Sequence, residues 1–101
     1  TPIFTADVKE LLPDDEYRAL QEHLASNPQA GPVIQDTGGL RKVRWSAQGK
    51  GKRGGVRVIY YHLSADSQIR MIFIYKKGIQ DDLTPEQKKV LRTINEGWSH
   101  G

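Results

Sequence analysis

The sequence predicts an α+β domain, with helices packed on a twisted antiparallel sheet and kept in separate stretches of chain. Three observations carry this. Apolar residues recur at helical spacing in residues 13–24 and again after Thr84. Between those stretches they alternate at strand spacing. Turn and capping residues punctuate the borders. A length of 101 residues fits one domain, residues 1–101, with roughly two thirds of the unfolded surface buried on folding.

The elements follow in order. Ile3-Phe4-Thr5 reads as a short edge strand. Residues 13–24 read as a helix with Asp14 as N-cap, while Asp15 and Glu16 favour the positive end of its dipole. Tyr17, Leu20 and Leu24 form its apolar stripe, and Asn27-Pro28 ends it. Residues 30–39, rich in Pro, Gly and Asp, read as a loop.

Residues 40–45 read as a strand with Val43 and Trp45 on one side and Lys42 and Arg44 on the other. Residues 56–63 form the strongest strand, where Val56, Val58 and Tyr60 alternate with Arg57, Ile59 and Tyr61. Ala65-Asp66-Ser67 is a tight turn. In residues 69–75, Ile69, Met71, Phe73 and Tyr75 share one face and Ile72 and Ile74 the other, as expected of a central strand covered on both sides. Thr84-Pro85-Glu86-Gln87 opens the last helix: Thr84 caps, Pro85 takes the first turn and Gln87 completes a capping box. Val90, Leu91, Ile94 and Trp98 are its expected buried stripe.

The charge is uneven. Residues 1–36 hold seven acids against Lys9 and Arg18, a net of −5. Residues 37–65 hold Arg41, Lys42, Arg44, Lys50, Lys52, Arg53 and Arg57 and no acid, a net of +7. The remainder is +1. A domain polarised in this way attracts polyanions through its basic side. The absence of cysteine excludes disulfides and thiol chemistry. His23, His62 and His100 lack metal-ligand spacing, so neither a metal nor a cofactor is expected. No apolar run reaches membrane-spanning length and no signal peptide is visible, which leads to the expectation of a cytoplasmic protein. Opening on Thr1-Pro2, the chain is expected to be a processed or trimmed product.

The string Gly49-Lys-Gly51-Lys-Arg-Gly54 matches a dinucleotide fingerprint by letter. That motif needs a helix after it, and here a strand follows. A P-loop also fails, because Gly55 and Val56 stand where Lys and Ser/Thr are required. A solvated hairpin loop is the plain alternative, but the flanking cations on strands favour phosphate binding. Arg57 is the most telling of them, since it alternates with Ile59 and Tyr61. A charge on a half-covered sheet is costly unless it is paired or open to a cleft. Tyr60, Tyr61, Tyr75 and Trp45 are either core residues or stacking surfaces for bases. Tyr75, at a strand end before Lys76-Lys77, is expected to set a ring at the rim of the sheet.

The chain resembles toxins of the RelE/ParE superfamily, closest to the HigB branch. The residues that carry the resemblance run in order along nearly the whole chain: Asp15-Glu16-Tyr17-Arg18, Asn27-Pro28, Val33-Ile34-Gln35, Thr37-Gly-Gly-Leu-Arg-Lys-Val-Arg44, the loop to Gly55, Arg57-Val-Ile-Tyr-Tyr61, Ile74-Tyr-Lys-Lys77 and Asp82-Leu-Thr84. The resemblance implies a compact RelE-like fold and ribosome-dependent endoribonuclease activity on mRNA in the ribosomal A site. It also implies neutralisation by a helix-turn-helix, HigA-like antitoxin. It places the catalytic role on Lys42, Arg44, Arg57 and Lys77. Family members often carry a tyrosine near the C-terminus; none follows Tyr75 here, so that role is vacant or filled by Tyr75.

Metal-free RNA cleavage requires removal of the 2′-OH proton, stabilisation of the phosphorane charge and protonation of the 5′-oxygen. Arg57 is the expected phosphate clamp, because its fork matches phosphate oxygens. Lys77 or Lys42, crowded by cations, is the expected acid or base. Arg41, Lys50, Lys52, Arg53 and Lys76 are expected to hold RNA or ribosome. Two other functions stay open: a non-catalytic RNA- or ribosome-binding module, and a ParE-type gyrase inhibitor on the same fold.

Overall fold

The computed structural model describes residues 11–45, 55–63, 68–76 and 82–99. Its elements are helix α1 (Asp14–Ser26), strands β1 (Arg41–Trp45), β2 (Val56–Leu63) and β3 (Gln68–Lys76), and helix α2 (Pro85–Ser99). The strands form an antiparallel sheet in the order β1-β2-β3. Among the described residues the class is therefore α+β: a three-stranded antiparallel sheet with two helices. The expected edge strand at residues 3–5, the turn at 65–67 and most of the Gly/Lys loop lie outside the described residues.

Helix α1 starts at the residue expected to cap it, so its cap lies one residue earlier than expected. Pro13 holds the N-cap position with extended backbone (φ −60°, ψ 155°) and makes no side-chain cap. Asp14 is instead the first of three acids in the first turn, where the helix dipole favours all three. Asn27 closes the helix through its backbone N–H to the carbonyl of His23, 2.8 Å away. Helix α2 opens with the capping box that the sequence spells out. The Gln87 N–H donates to Thr84 Oγ1 at 3.1 Å, and the Thr84 N–H donates to Gln87 Oε1 at 3.0 Å.

Each face of the sheet carries its own core. On one face Val43, Val56, Val58, Tyr60 and Ile74 pack with Leu12, Leu20 and Leu24 of the α1 region. On the other, Ile59, Ile72 and Tyr75 pack with Leu40, Leu83 and Leu91. The helices thus lie on opposite faces. Leu20 and Leu24 are fully buried, which stabilises the fold by about 1.5–3 kcal/mol each.

The alternation expected for β3 breaks at a bulge. Ile59 pairs with Phe73 and Tyr60 with Met71, so Ile72 is an extra residue on β3. Ile69, Met71 and Ile74 consequently share the α1 face, while Ile72, Phe73 and Tyr75 share the α2 face. Both faces of β3 are covered as expected, but the central position among the described strands belongs to β2.

The stripe of α2 also differs from expectation. Leu91 is buried and Ile94 half-buried, but Val90 is 56% exposed. Asn95 is buried in its place and accepts a hydrogen bond from Arg70 Nη1 at 2.9 Å. The same guanidinium lies over the Tyr61 ring, 5.8 Å from its centroid. This polar contact, rather than a fully apolar stripe, ties α2 to β3. The Trp98 side chain lies outside what the structure describes.

The loop between α1 and β1 is fastened to the sheet by Tyr60. Its buried hydroxyl donates to the Pro28 carbonyl at 2.8 Å and accepts the Gly31 N–H at 3.0 Å. Gly31 is required there, since a Cβ would stand 2.4 Å from the Lys42 carbonyl oxygen. Further on, Asp36 (φ 64°) and Gly38 (φ 74°) turn the chain in the left-handed region. Thr37, fully buried between them, accepts the Leu40 N–H on its Oγ1 and donates to the Ile34 carbonyl.

Candidate nucleic-acid interface

The ladder brings three of the expected site residues into one row. Arg44 of β1 is the Cα partner of Arg57 of β2, and Arg57 is the partner of Tyr75 of β3. Lys42, two residues before Arg44, lies on the same face, and the side chains point toward the α2 layer. Two arginines directly opposite in an antiparallel pair repel one another. A sheet built for stability alone has no reason to hold them there.

Burial separates their roles. Arg57 is 5% exposed, whereas Arg44 is exposed. The sequence marks Arg57 as the fork that grips phosphate; its burial leaves Arg44 as the open fork above it. Among the described residues, the guanidinium of Arg57 makes one long hydrogen bond, from Nη1 to the Val56 carbonyl at 3.5 Å. Arginine is rarely so buried without a partner, and the two ion pairs among the described residues, Lys42–Asp82 and Arg92–Glu96, include neither Arg44 nor Arg57.

Lys42 is not an isolated ammonium among cations, as expected from sequence. Its Nζ donates to Asp82 Oδ1 at 2.5 Å. That hydrogen bond and the charge of Lys42 hold the Asp82 carboxyl below the usual carboxylate range, with further help from the charges of Lys88 and Arg57. Lys88 of α2 therefore belongs to the same electrostatic cluster. Sequence reasoning passed over it because an exposed-face lysine in a helix carries no local signal. Asp82 enters the sequence reading only within Asp82-Leu-Thr84, as part of the resemblance, with no role of its own.

Tyr75 does not form a ring at the rim. It is 5% exposed, and its ring is tilted against Phe73 with centroids 5.7 Å apart. Tyr60 is fully buried and engaged by its hydroxyl, so neither offers a face to a base. Trp45 lies on the α1 face against His23, centroids 5.4 Å apart.

Two expected RNA-binding cations stand apart from the row. Arg41 alternates onto the opposite face and donates from Nη1 to the Gly31 carbonyl at 2.8 Å, which makes it part of the loop fastening. Lys76 is exposed and pairs with Val56, a residue of the α1-face core. Lys50, Lys52, Arg53 and Lys77 lie outside the described residues. The assembled face thus consists of Arg44, Arg57, Lys42 and Lys88 near Asp82, and Lys88 also lines a cleft with Asp36. Its chemistry is that of an anion site: one open guanidinium, one fixed charge beneath it and two flanking ammonium groups. Among the described residues no group of His, Asp and Glu is arranged to hold a metal ion, and no helix is long and apolar enough to cross a membrane. No protein-family model matches the chain.

Proposed function

We propose that this domain is a RelE-like toxin of the HigB type, a ribosome-dependent endoribonuclease whose cationic sheet face cleaves mRNA and which a helix-turn-helix antitoxin restrains in the cytoplasm. The observation that carries the proposal is the opposed pair Arg44–Arg57, with Arg57 buried and neither arginine in an ion pair among the described residues. Holding that pair costs stability, and a phosphodiester is the anion that repays the arrangement.

In this reading Arg44 meets the non-bridging phosphate oxygens through its open fork. Arg57 supplies a preorganised positive charge from a site where water screens little, which strengthens as the phosphorane gains charge. The 2′-oxygen attacks phosphorus after losing its proton. The P–O5′ bond breaks, leaving a 2′,3′-cyclic phosphate and a protonated 5′-hydroxyl. The two described groups within this face that can exchange that proton are Lys42, once released from Asp82, and the Tyr75 hydroxyl. Lys77 keeps its expected role as acid or base, and Lys50, Lys52 and Arg53 theirs in holding RNA or ribosome, on the sequence alone.

Primer extension on translated mRNA tests the proposal. Codon-phased breaks with wild-type protein, lost with Arg57→Ala and Arg44→Ala, are expected. Intact mRNA with translation still inhibited would identify a non-catalytic ribosome binder. Intact mRNA with loss of gyrase supercoiling would identify a ParE-type inhibitor.

A further inference from the structure

Lys42 and Asp82 come from distant parts of the chain, 40 residues apart, and meet at the margin of the arginine row. The lysine is the less exposed partner at 24%, and the carboxylate stands 76% open to solvent. A solvent-exposed ion pair adds little stability, so it is not needed to hold β1 against the α2 region. Leu40, Leu83 and Leu91 already do that from the core beneath. What the carboxylate does is place a negative oxygen where Lys42, Arg57 and Lys88 all act on it.

We propose that Asp82 is an affinity-setting residue of this face: its carboxylate occupies the position of a substrate phosphate, and RNA must displace it from Lys42 to bind. This rests on the reading of the face as an RNA site. The carboxylate is a single charge, 76% open to solvent. A phosphodiester chain presents successive charges to Lys42, Arg44 and Lys88 together, so a polyanion displaces Asp82 where an isolated small anion does not. The displacement also frees the Lys42 amine for the scissile position at the moment substrate arrives.

The experiment is fluorescence anisotropy with a 5′-labelled single-stranded uridine 12-mer, titrated with wild type, D82N, K42M, the double variant K42M/D82N, and E86Q as an equal change of charge nearby. Thermal melting checks that each variant is folded. The expected result is that D82N binds about two- to fivefold more tightly than wild type, a gain larger than that of E86Q and of the size set by an exposed ion pair. In the K42M background the D82N change should add no more than E86Q does. The salt dependence of D82N should steepen by about 0.7 in log–log slope, one further counterion released. Equal or weaker binding by D82N, or a gain that persists without Lys42, overturns the role of Asp82 while R44A-sensitive binding by wild type preserves the RNA interface. Absence of 12-mer binding by both wild type and D82N overturns the competition at Asp82, and primer extension on the ribosome then decides the RNA interface.

Discussion

Replacing Arg57 by methionine should make the protein more stable and less able to bind RNA. Methionine keeps the length of the stem and its contacts within the α2-face core, and removes the charge. Cross-strand partners have Cβ atoms about 5 Å apart, so guanidinium groups extending side by side have charge centres roughly 7 Å apart. At an effective dielectric of about 20, two like charges at that distance repel by roughly 2 kcal/mol. Arg44 is exposed, and water screening reduces this to about 1 kcal/mol. The hydrogen bond that is lost is 3.5 Å long and contributes little. R57M should therefore gain about 1 kcal/mol, a rise in Tm of about 4–8 °C. Cleavage on the ribosome should fall by about 10²–10³. The assays are urea denaturation and primer extension on the same preparations. A loss of 2 kcal/mol or more would show that Arg57 is structural and refute the argument; so would a stabilised variant that still cleaves like wild type.

Tyr60→Phe removes a hydroxyl that both donates and accepts in the interior, and leaves the Gly31 N–H without its partner; a loss of about 2 kcal/mol is expected in urea. Thr84→Ala should cost about 1 kcal/mol by breaking the capping box, and a midpoint unchanged from wild type would mean that packing alone sets the start of α2. Acid titration gives a fourth outcome. The Asp82 carboxyl is lowered in the fold, so its contribution to stability is present above the unfolded value, about 3.9, and is lost as pH falls through the lower folded value. Wild type and D82N should differ by a constant amount from neutral pH down to about 4 and converge below it; convergence at pH 5–6 would show that another group is responsible.

Much of this fold was readable because the signals are local. Thr84, Pro85 and Gln87 act within one turn of chain, and they start the helix where the sequence places it. Val56, Val58 and Tyr60 alternate within a single strand, and their shared face follows. What the sequence concealed depends on partners far along the chain. Ile72 is no different in kind from its apolar neighbours, so nothing local announces that it is the extra residue of a bulge. Asn95 reads as a surface residue until Arg70 is placed against it. The cations of the site were found as residue types, and alternation alone sets Lys42 and Arg44 apart from Arg41, but only pairing register brings Arg57 opposite Arg44. Exposure was the least legible property: Arg57, expected to face a phosphate, is buried, and Arg44 opposite it is exposed.

The bulge in β3 also ties the phase of one half of the strand to the other. Before it, odd-numbered residues such as Ile69 and Met71 face α1; after it, odd-numbered Phe73 and Tyr75 face α2. Pairing β3 regularly with Ile72 retained would force a choice. If the hairpin end kept its pairing, Tyr75 would rotate off the α2 face, Ile74 would stand opposite Arg57, and Lys76 would turn onto the face as a further cation. If the distal end kept its pairing, Ile69 and Met71 would leave the core against α1. A single-residue frameshift in space, with no change of composition, thus suffices to exchange the inside and outside of this face, and the spacing of β3 is as much a part of the site as the arginines themselves.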